Sequence, residues 1–183
     1  MDNNKIRLCN MVLGKRIISK SGFTLMEVIV VLGVISILAA VSILNIFDSL
    51  PGYRLRSAVR DIVSSLQEVK MMAVKENIDT YIYFDVANDE YKAWVDDGVA
   101  NPDNGSYDAD ENYFKEVTLT NGIELYQNTS FTGNIFGFNS RGLPATAGGS
   151  VFIKNSRSGY IRIRVSIAGN IKIQRSSDGI TWN

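Results

Sequence analysis

The sequence predicts an α+β fold: a long N-terminal helix, transmembrane in its first half, packed on an antiparallel β-sheet or sandwich head. Three observations predict it. The twenty residues from Val28 to Phe47 carry no charge. After Pro51-Gly52, apolar residues recur at steps of four and three as far as Ala73. From Tyr81 onward, short alternating runs are separated by Gly, Asn and Asp turn signals.

The uncharged run is long enough for one helix to cross a bilayer, which takes ~20 apolar residues. Glu27, at its mouth, is the only charge between Lys20 and Asp48. Burying a carboxylate at mid-membrane costs roughly 2.5–3.5 kcal/mol on insertion scales, so Glu27 at this place asks for a function. Upstream stand Lys5, Arg7, Lys15, Arg16 and Lys20 against Asp2 alone, a net +4. Positive charge beside a span holds that flank in the cytoplasm and sends the rest of the chain across. A secretory signal places its small residue after a short apolar core. Here Gly22 precedes the apolar run, so a cut between Gly22 and Phe23 removes the basic segment and keeps the helix.

Gly22-Phe23-Thr24-Leu25-Met26-Glu27 with the run behind it resembles the class III signal of bacterial type IV prepilins and pseudopilins. The resemblance implies a prepilin peptidase that cuts after Gly22 and methylates the new amino terminus at Phe23. A plain single-pass anchor with a chance match is the alternative. The resemblance also gives Glu27 an assembly role, pairing with the free amine of Phe23 on a neighbouring subunit. The alternative places Glu27 among the lipid headgroups. The one cysteine, Cys9, falls in the segment that cleavage would remove.

The second helical stripe comprises Leu55, Val59, Ile62, Leu66, Val69 and Ala73, with Arg54, Arg56, Arg60, Asp61 and Lys70 mostly off it. Pro51-Gly52 predicts a kink or short break before it. Strands are predicted at Ile82–Val86, Tyr91–Asp96, Phe114–Leu119, Ile123–Gln127, Asn134–Phe138, Val151–Lys154, Tyr160–Ile167 and Ile171–Arg175. Asn88-Asp89, Asn121-Gly122 and Ala168-Gly169-Asn170 are the turn signals. The expected organisation is a leader over 1–22, a transmembrane and polymerisation helix over 23–52, and a head over 53–183. The head divides into an amphipathic helix, 53–77, and a β-domain, 78–183.

Net charge is zero, but its layout is uneven. Between Glu76 and Glu116 twelve acids stand against Lys92 and Lys115. Between Phe131 and Ser177 there is no acid, and seven Lys or Arg. Such a layout fits head-to-tail docking or a separate anionic partner. The polar loop from Val95 to Asn112 holds oxygen donors of the kind calcium takes, with Asp103, Asp108 and Asp110 as the candidates. An EF-hand does not form there, because Tyr113 stands where the turn glycine belongs and no glutamate closes the loop; a solvated loop is the other reading. Arg162 and Arg164 share one strand face, and Lys172 on the next strand lies beside them. Clustered cations suit phosphates, but a solvated strand face is the commoner explanation of such a pattern. The chain has no histidine, and no glycine-rich phosphate loop follows a strand, so no catalytic set emerges and no cofactor beyond the calcium alternative.

Phe136-Gly137-Phe138-Asn139-Ser140-Arg141-Gly142-Leu143-Pro144 resembles the F-x-x-x-G-x-P segment of minor pseudopilins of the GspH/FimT type, and Tyr160 to Lys172 resembles that family's final hairpin. The resemblance implies a pilin-like head and a structural or priming role in a type II secretion pseudopilus or a type IV pilus. The implied partners are the prepilin peptidase, other pilins or pseudopilins and the inner-membrane assembly platform. It implies a single pass through the bacterial inner membrane, with the N-terminus cytoplasmic and the head periplasmic. Some relatives bind DNA through a basic C-terminal surface, which makes a DNA-binding minor pilin for natural transformation the alternative function. A membrane-anchored β-domain that never polymerises is a third. Mass spectrometry of the membrane form is expected to show a chain beginning at methylated Phe23, and a bulky residue at Gly22 to leave the precursor uncut.

Overall fold

The stripe read at steps of four and three is the inner face of a helix. Leu55, Val59, Ile62, Leu66, Val69 and Ala73 are all buried, the last four completely. They belong to helix α1, Leu25–Glu76. The computed structural model describes residues 22–98, 105–108, 111, 113–157 and 159–183, without the side chains of 41–48. Two compact units divide the chain between Ile43 and Leu44. The first holds the N-terminal part of α1. The second holds the rest of α1 and all the strands.

Of the kink or short break expected at Pro51-Gly52, the break does not occur: α1 passes through Pro51 and remains helical. Proline removes one N–H and crowds the preceding turn, which kinks or breaks many helices. Here the buried stripe that begins at Leu55 supplies tertiary packing that a lone propensity argument leaves out. The helix ends at Glu76, and Asn77 takes a positive φ of 58°. Asparagine tolerates that left-handed conformation and is a recurrent helix terminator.

Eight strands follow: β1 (Thr80–Asp85), β2 (Glu90–Val95), β3 (Tyr113–Thr118), β4 (Ile123–Leu125), β5 (Ile135–Phe138), β6 (Gly149–Asn155), β7 (Tyr160–Val165) and β8 (Ile171–Ser176). They form two antiparallel sheets, in the orders β3-β2-β1-β5 and β4-β6-β7-β8. Three strands are shorter than their apolar runs. β4 stops at Leu125, β5 starts only after Asn134, which holds a φ of 60°, and β7 stops where Ser166 opens the turn to Asn170.

One core joins the helix stripe to the inner faces of both sheets. Ile82, Phe84, Tyr91, Ala93, Phe136 and Phe138 come from the first sheet, and Val151, Ile153, Ile161, Ile163 and Val165 from the second. The hydroxyls of Ser65 on α1 and Tyr91 on β2 hydrogen-bond at 3.2 Å inside it. On the opposite face of the first sheet Tyr81 lies across Gly137, where an added Cβ would sit 2.3 Å from the tyrosine ring. Only glycine leaves that ring its place. Leu66 is fully buried, so Leu66→Ala is expected to cost about 2–5 kcal/mol, seen as a lowered denaturant midpoint in chemical unfolding.

Candidate functional site

The first unit presents Gly22, Phe23 and Glu27 at the start of α1. Thr24 caps the helix: its Oγ1 accepts the N–H of Glu27 at 3.2 Å, and its carbonyl accepts that of Val28. Glu27 therefore sits in the first turn, where the positive end of the helix dipole favours a carboxylate. Thr24-Leu25-Met26-Glu27 has the spacing of a capping box, a signal present in the sequence that assigns Thr24 a structural role of its own. Phe23, Glu27, Val28, Val31 and Leu32 line one shallow groove along the helix. From Phe23 to Leu38 the large apolar side chains are all substantially exposed, Phe23 at 82%. Among the described residues, no helix is long and apolar enough to cross a membrane. Residues 41–48, which complete the expected span, contribute no described side chains.

The basic face lies on the outer side of the second sheet. Arg164 stands directly opposite Lys172, and both are exposed. Arg162 is engaged within the fold. Its Nε and Nη2 donate to Gln174 Oε1 at 3.2 and 2.8 Å, and its guanidinium lies 4.8 Å from the centroid of the Trp182 ring. Gln174 is buried beneath this pair. Arg162 thus fastens the C-terminal segment to the sheet. The same segment is held by paired backbone hydrogen bonds between Arg175 and Asn183. Asp178 ties it from within: its carboxylate accepts from Ser176, Ile180 and Thr181, which holds its pKa well below the usual range.

The described residues of the acidic loop, 105–108 and 111, bring Tyr107 onto the outer face of the first sheet, which the solvated-loop reading did not anticipate. Tyr107 stacks on Tyr113 at 4.2 Å and meets Trp94 edge-on at 5.9 Å. Asp96 and Glu111 are both buried. Of the calcium candidates, Asp103 and Asp110 lie outside the described residues. Asp108 is placed with its backbone N–H on Glu111 Oε2 at 2.8 Å. Among the described residues, no group of three or more His, Cys, Asp or Glu is placed to hold a metal ion. Sequence reasoning missed the burial of Asp96 and Glu111; the aromatic residues Trp94, Tyr107 and Tyr113 around them were the available sign of a packed loop.

A helix whose second half packs on an antiparallel β head, with a small residue and a carboxylate at its start, defines the pilin-like class. Residues 58–169 match the family of the type II transport protein GspH, and residues 18–43 match the prokaryotic N-terminal methylation motif. The first match covers more than half of the chain, and the chain belongs to the GspH family. No curated protein matches it by sequence. Among solved structures, the minor pseudopilin EpsH of the type 2 secretion system of Vibrio cholerae aligns with a TM-score of 0.50 at 10% identity, over 66% of this chain and 95% of that one. The type IV minor pilin FimU of Pseudomonas aeruginosa aligns with a TM-score of 0.49 at 15% identity, over 70% and 92%. At these identities the likeness shows the fold alone. The family match lends no support to the DNA-binding alternative.

The geometry separates the three cations of the basic face. Arg162→Ala is expected to free Trp182, red-shift its fluorescence and cost about 0.5–1 kcal/mol. Arg164→Gln is expected to leave both the emission and the unfolding midpoint unchanged, within about 0.5 kcal/mol.

Proposed function

We propose that this GspH-family chain is a minor pseudopilin or minor pilin subunit, a structural or priming component of a type II secretion pseudopilus or type IV pilus. Prepilin peptidase cuts it after Gly22 and methylates Phe23. The chain then sits in the bacterial inner membrane by a single pass, with the head of residues 53–183 in the periplasm. The coincidence on one chain of the GspH match and the N-terminal methylation motif carries this reading. The family and fold are those of structural subunits, and membership of the type II transport protein GspH family favours secretion over a pilus.

Two features of the first unit support the residue assignments. A Cβ at Gly22 would meet nothing within 4 Å among the described residues, so the fold itself places no demand for glycine there. The demand for a small residue comes from whatever acts on the Gly22–Phe23 bond. Beyond it, an apolar helix surface from Phe23 to Leu38 stands exposed with one carboxylate at its head. In hydrocarbon such a carboxylate gains most from a cation at the same depth, and the methylated amine of a neighbouring Phe23 is one. Partners are therefore other pilin-type subunits along the helix and the assembly platform in the membrane.

Glu27→Ala removes a charge from the span, so the variant is expected to insert as well as wild type and to enter filaments poorly. Quantifying both forms in sheared or affinity-purified filaments measures this. Equal incorporation rejects the pairing role of Glu27, and the absence of wild-type protein from any filament rejects the subunit function.

A further inference from the structure

Arg56 on α1 and Arg175 on β8 are far apart in the chain and line one cavity of about 180 Å³. Gly52 on α1, Asn155 at the end of β6, Gly159, and Tyr160 at the start of β7 share its wall. Among the described residues no acid lines it. Both arginines are exposed, and no ion pair among the described residues includes either. The Arg56 guanidinium lies 5.7 Å from the centroid of the Tyr53 ring. Asp178, the acid closest to Arg175 in sequence, directs its carboxylate to Ser176, Ile180 and Thr181.

Both arginines are out of pattern. Arg175 stands opposite Ile161 on β7, and directly opposed residues share a face. The other members of that face on β8 are Ile171 and Ile173, opposite Val165 and Ile163. The apolar alternation of β8 therefore ends in a cation on the helix-facing side. On α1, Arg54, Arg56 and Arg60 follow the uncharged run closely, against Asp48 alone. In the single-pass reading this flank is translocated, where Lys and Arg beside a span are disfavoured. Gly52 lies five residues beyond Phe47, the last of the run, and α1 is helical throughout. At 1.5 Å per residue along the bilayer normal, that is ~8 Å beyond the hydrocarbon edge. The headgroup layer is about 5–8 Å deep on each side. The cavity thus opens at the depth of lipid phosphates, and Tyr53 and Tyr160 lie where tyrosine gathers at membrane interfaces.

We propose that this cavity takes the phosphate of an anionic phospholipid of the periplasmic leaflet between Arg56 and Arg175, and so seats the head on the membrane before assembly. The inference rests on the single-pass reading given above. A guanidinium presents parallel N–H donors that match two phosphate oxygens. Its stem can lie along apolar surface while the charged end reaches the headgroup layer. Each arginine held near an anionic lipid surface contributes roughly fivefold in affinity. A two-arginine cavity also suits a carboxylate of a neighbouring subunit, but its depth beside the end of the uncharged run favours lipid.

The full-length protein labelled with ¹⁵N-glycine, in non-ionic maltoside micelles free of phosphate, tests this by NMR titration with phosphatidylglycerol. The amides of Gly52 and Gly159 are expected to shift saturably, while that of Gly137 on β5 stays in place. Phosphatidylcholine at the same mole fraction is expected to shift them much less. Arg56→Gln combined with Arg175→Gln is expected to weaken the phosphatidylglycerol effect roughly 25-fold, and each single substitution about fivefold, which covers a double variant that fails to fold. No shift, equal shifts with the two lipids, or an effect that survives both substitutions overturns the proposal. Equal shifts from inorganic phosphate overturn it in favour of a free anion, and shifts from poly-glutamate in lipid-free micelles in favour of an acidic polypeptide. Flotation with vesicles of pure phosphatidylcholine tests the span by itself. A chain that floats without the glycine shifts loses the lipid site and keeps its span; a chain that does not float loses both.

Discussion

The strip of apolar side chains on the second half of α1 is the constraint on which the head depends. The two sheets have separate hydrogen-bonded ladders, and each has one apolar face. Leu55, Val59, Ile62, Leu66, Val69 and Ala73 join those faces into a single core. Burying one large aliphatic side chain is worth about 1.5–3 kcal/mol, against about 0–1 for an exposed ion pair. The strip therefore outweighs surface pairs such as Lys154–Glu124 in deciding how the head is built. It also accounts for the persistence of helix through Pro51, because packing from Leu55 onward rewards helical geometry where local propensity does not.

Aromatic residues reach both outer faces from neighbouring segments. On the first sheet Tyr107 comes from the β2–β3 loop to meet Trp94 and Tyr113. On the second, Trp182 comes from the C-terminal segment to meet Phe152 and Arg162. Charges in these places are consequently used inside the fold. Arg162 holds a tryptophan, and Asp96 and Glu111 accept backbone N–H groups of Gly98, Gly105 and Asp108. Arg164 and Lys172, with no such covering segment over them among the described residues, are exposed.

The helix stripe was legible because a period of 3.6 exposes its buried positions directly, and the hairpin turns because Asn88-Asp89 and Ala168-Gly169-Asn170 carry the needed residue types. The division of eight strands into two sheets was not. The pairing of β5 with β1, across about fifty residues of chain, follows from packing of Phe136 and Phe138 beside Ile82, which no local pattern encodes. At the N-terminal site, glycine, phenylalanine and glutamate were readable in order, and the GspH and methylation-motif matches agree with the family that they and the C-terminal segments indicated. The fate of the acidic and basic segments was hidden, because charge counts record how many ions there are and not which are buried. Arg162 looked like Arg164 in sequence, yet a tryptophan twenty residues later separates their roles.

Asp89, in the turn between β1 and β2, is where the two sheets are tied by something other than the core. Its φ is 53°, its carbonyl accepts the N–H of Leu119 at 2.7 Å, and its carboxylate accepts that of Leu125 on β4 at 2.8 Å. Two independent demands meet at this position: a backbone that tolerates the left-handed region, and a short side chain that ends in an acceptor. Glycine meets the first and fails the second; glutamate fails the first. Aspartate and asparagine satisfy both, so this half-buried turn position tolerates few other residues.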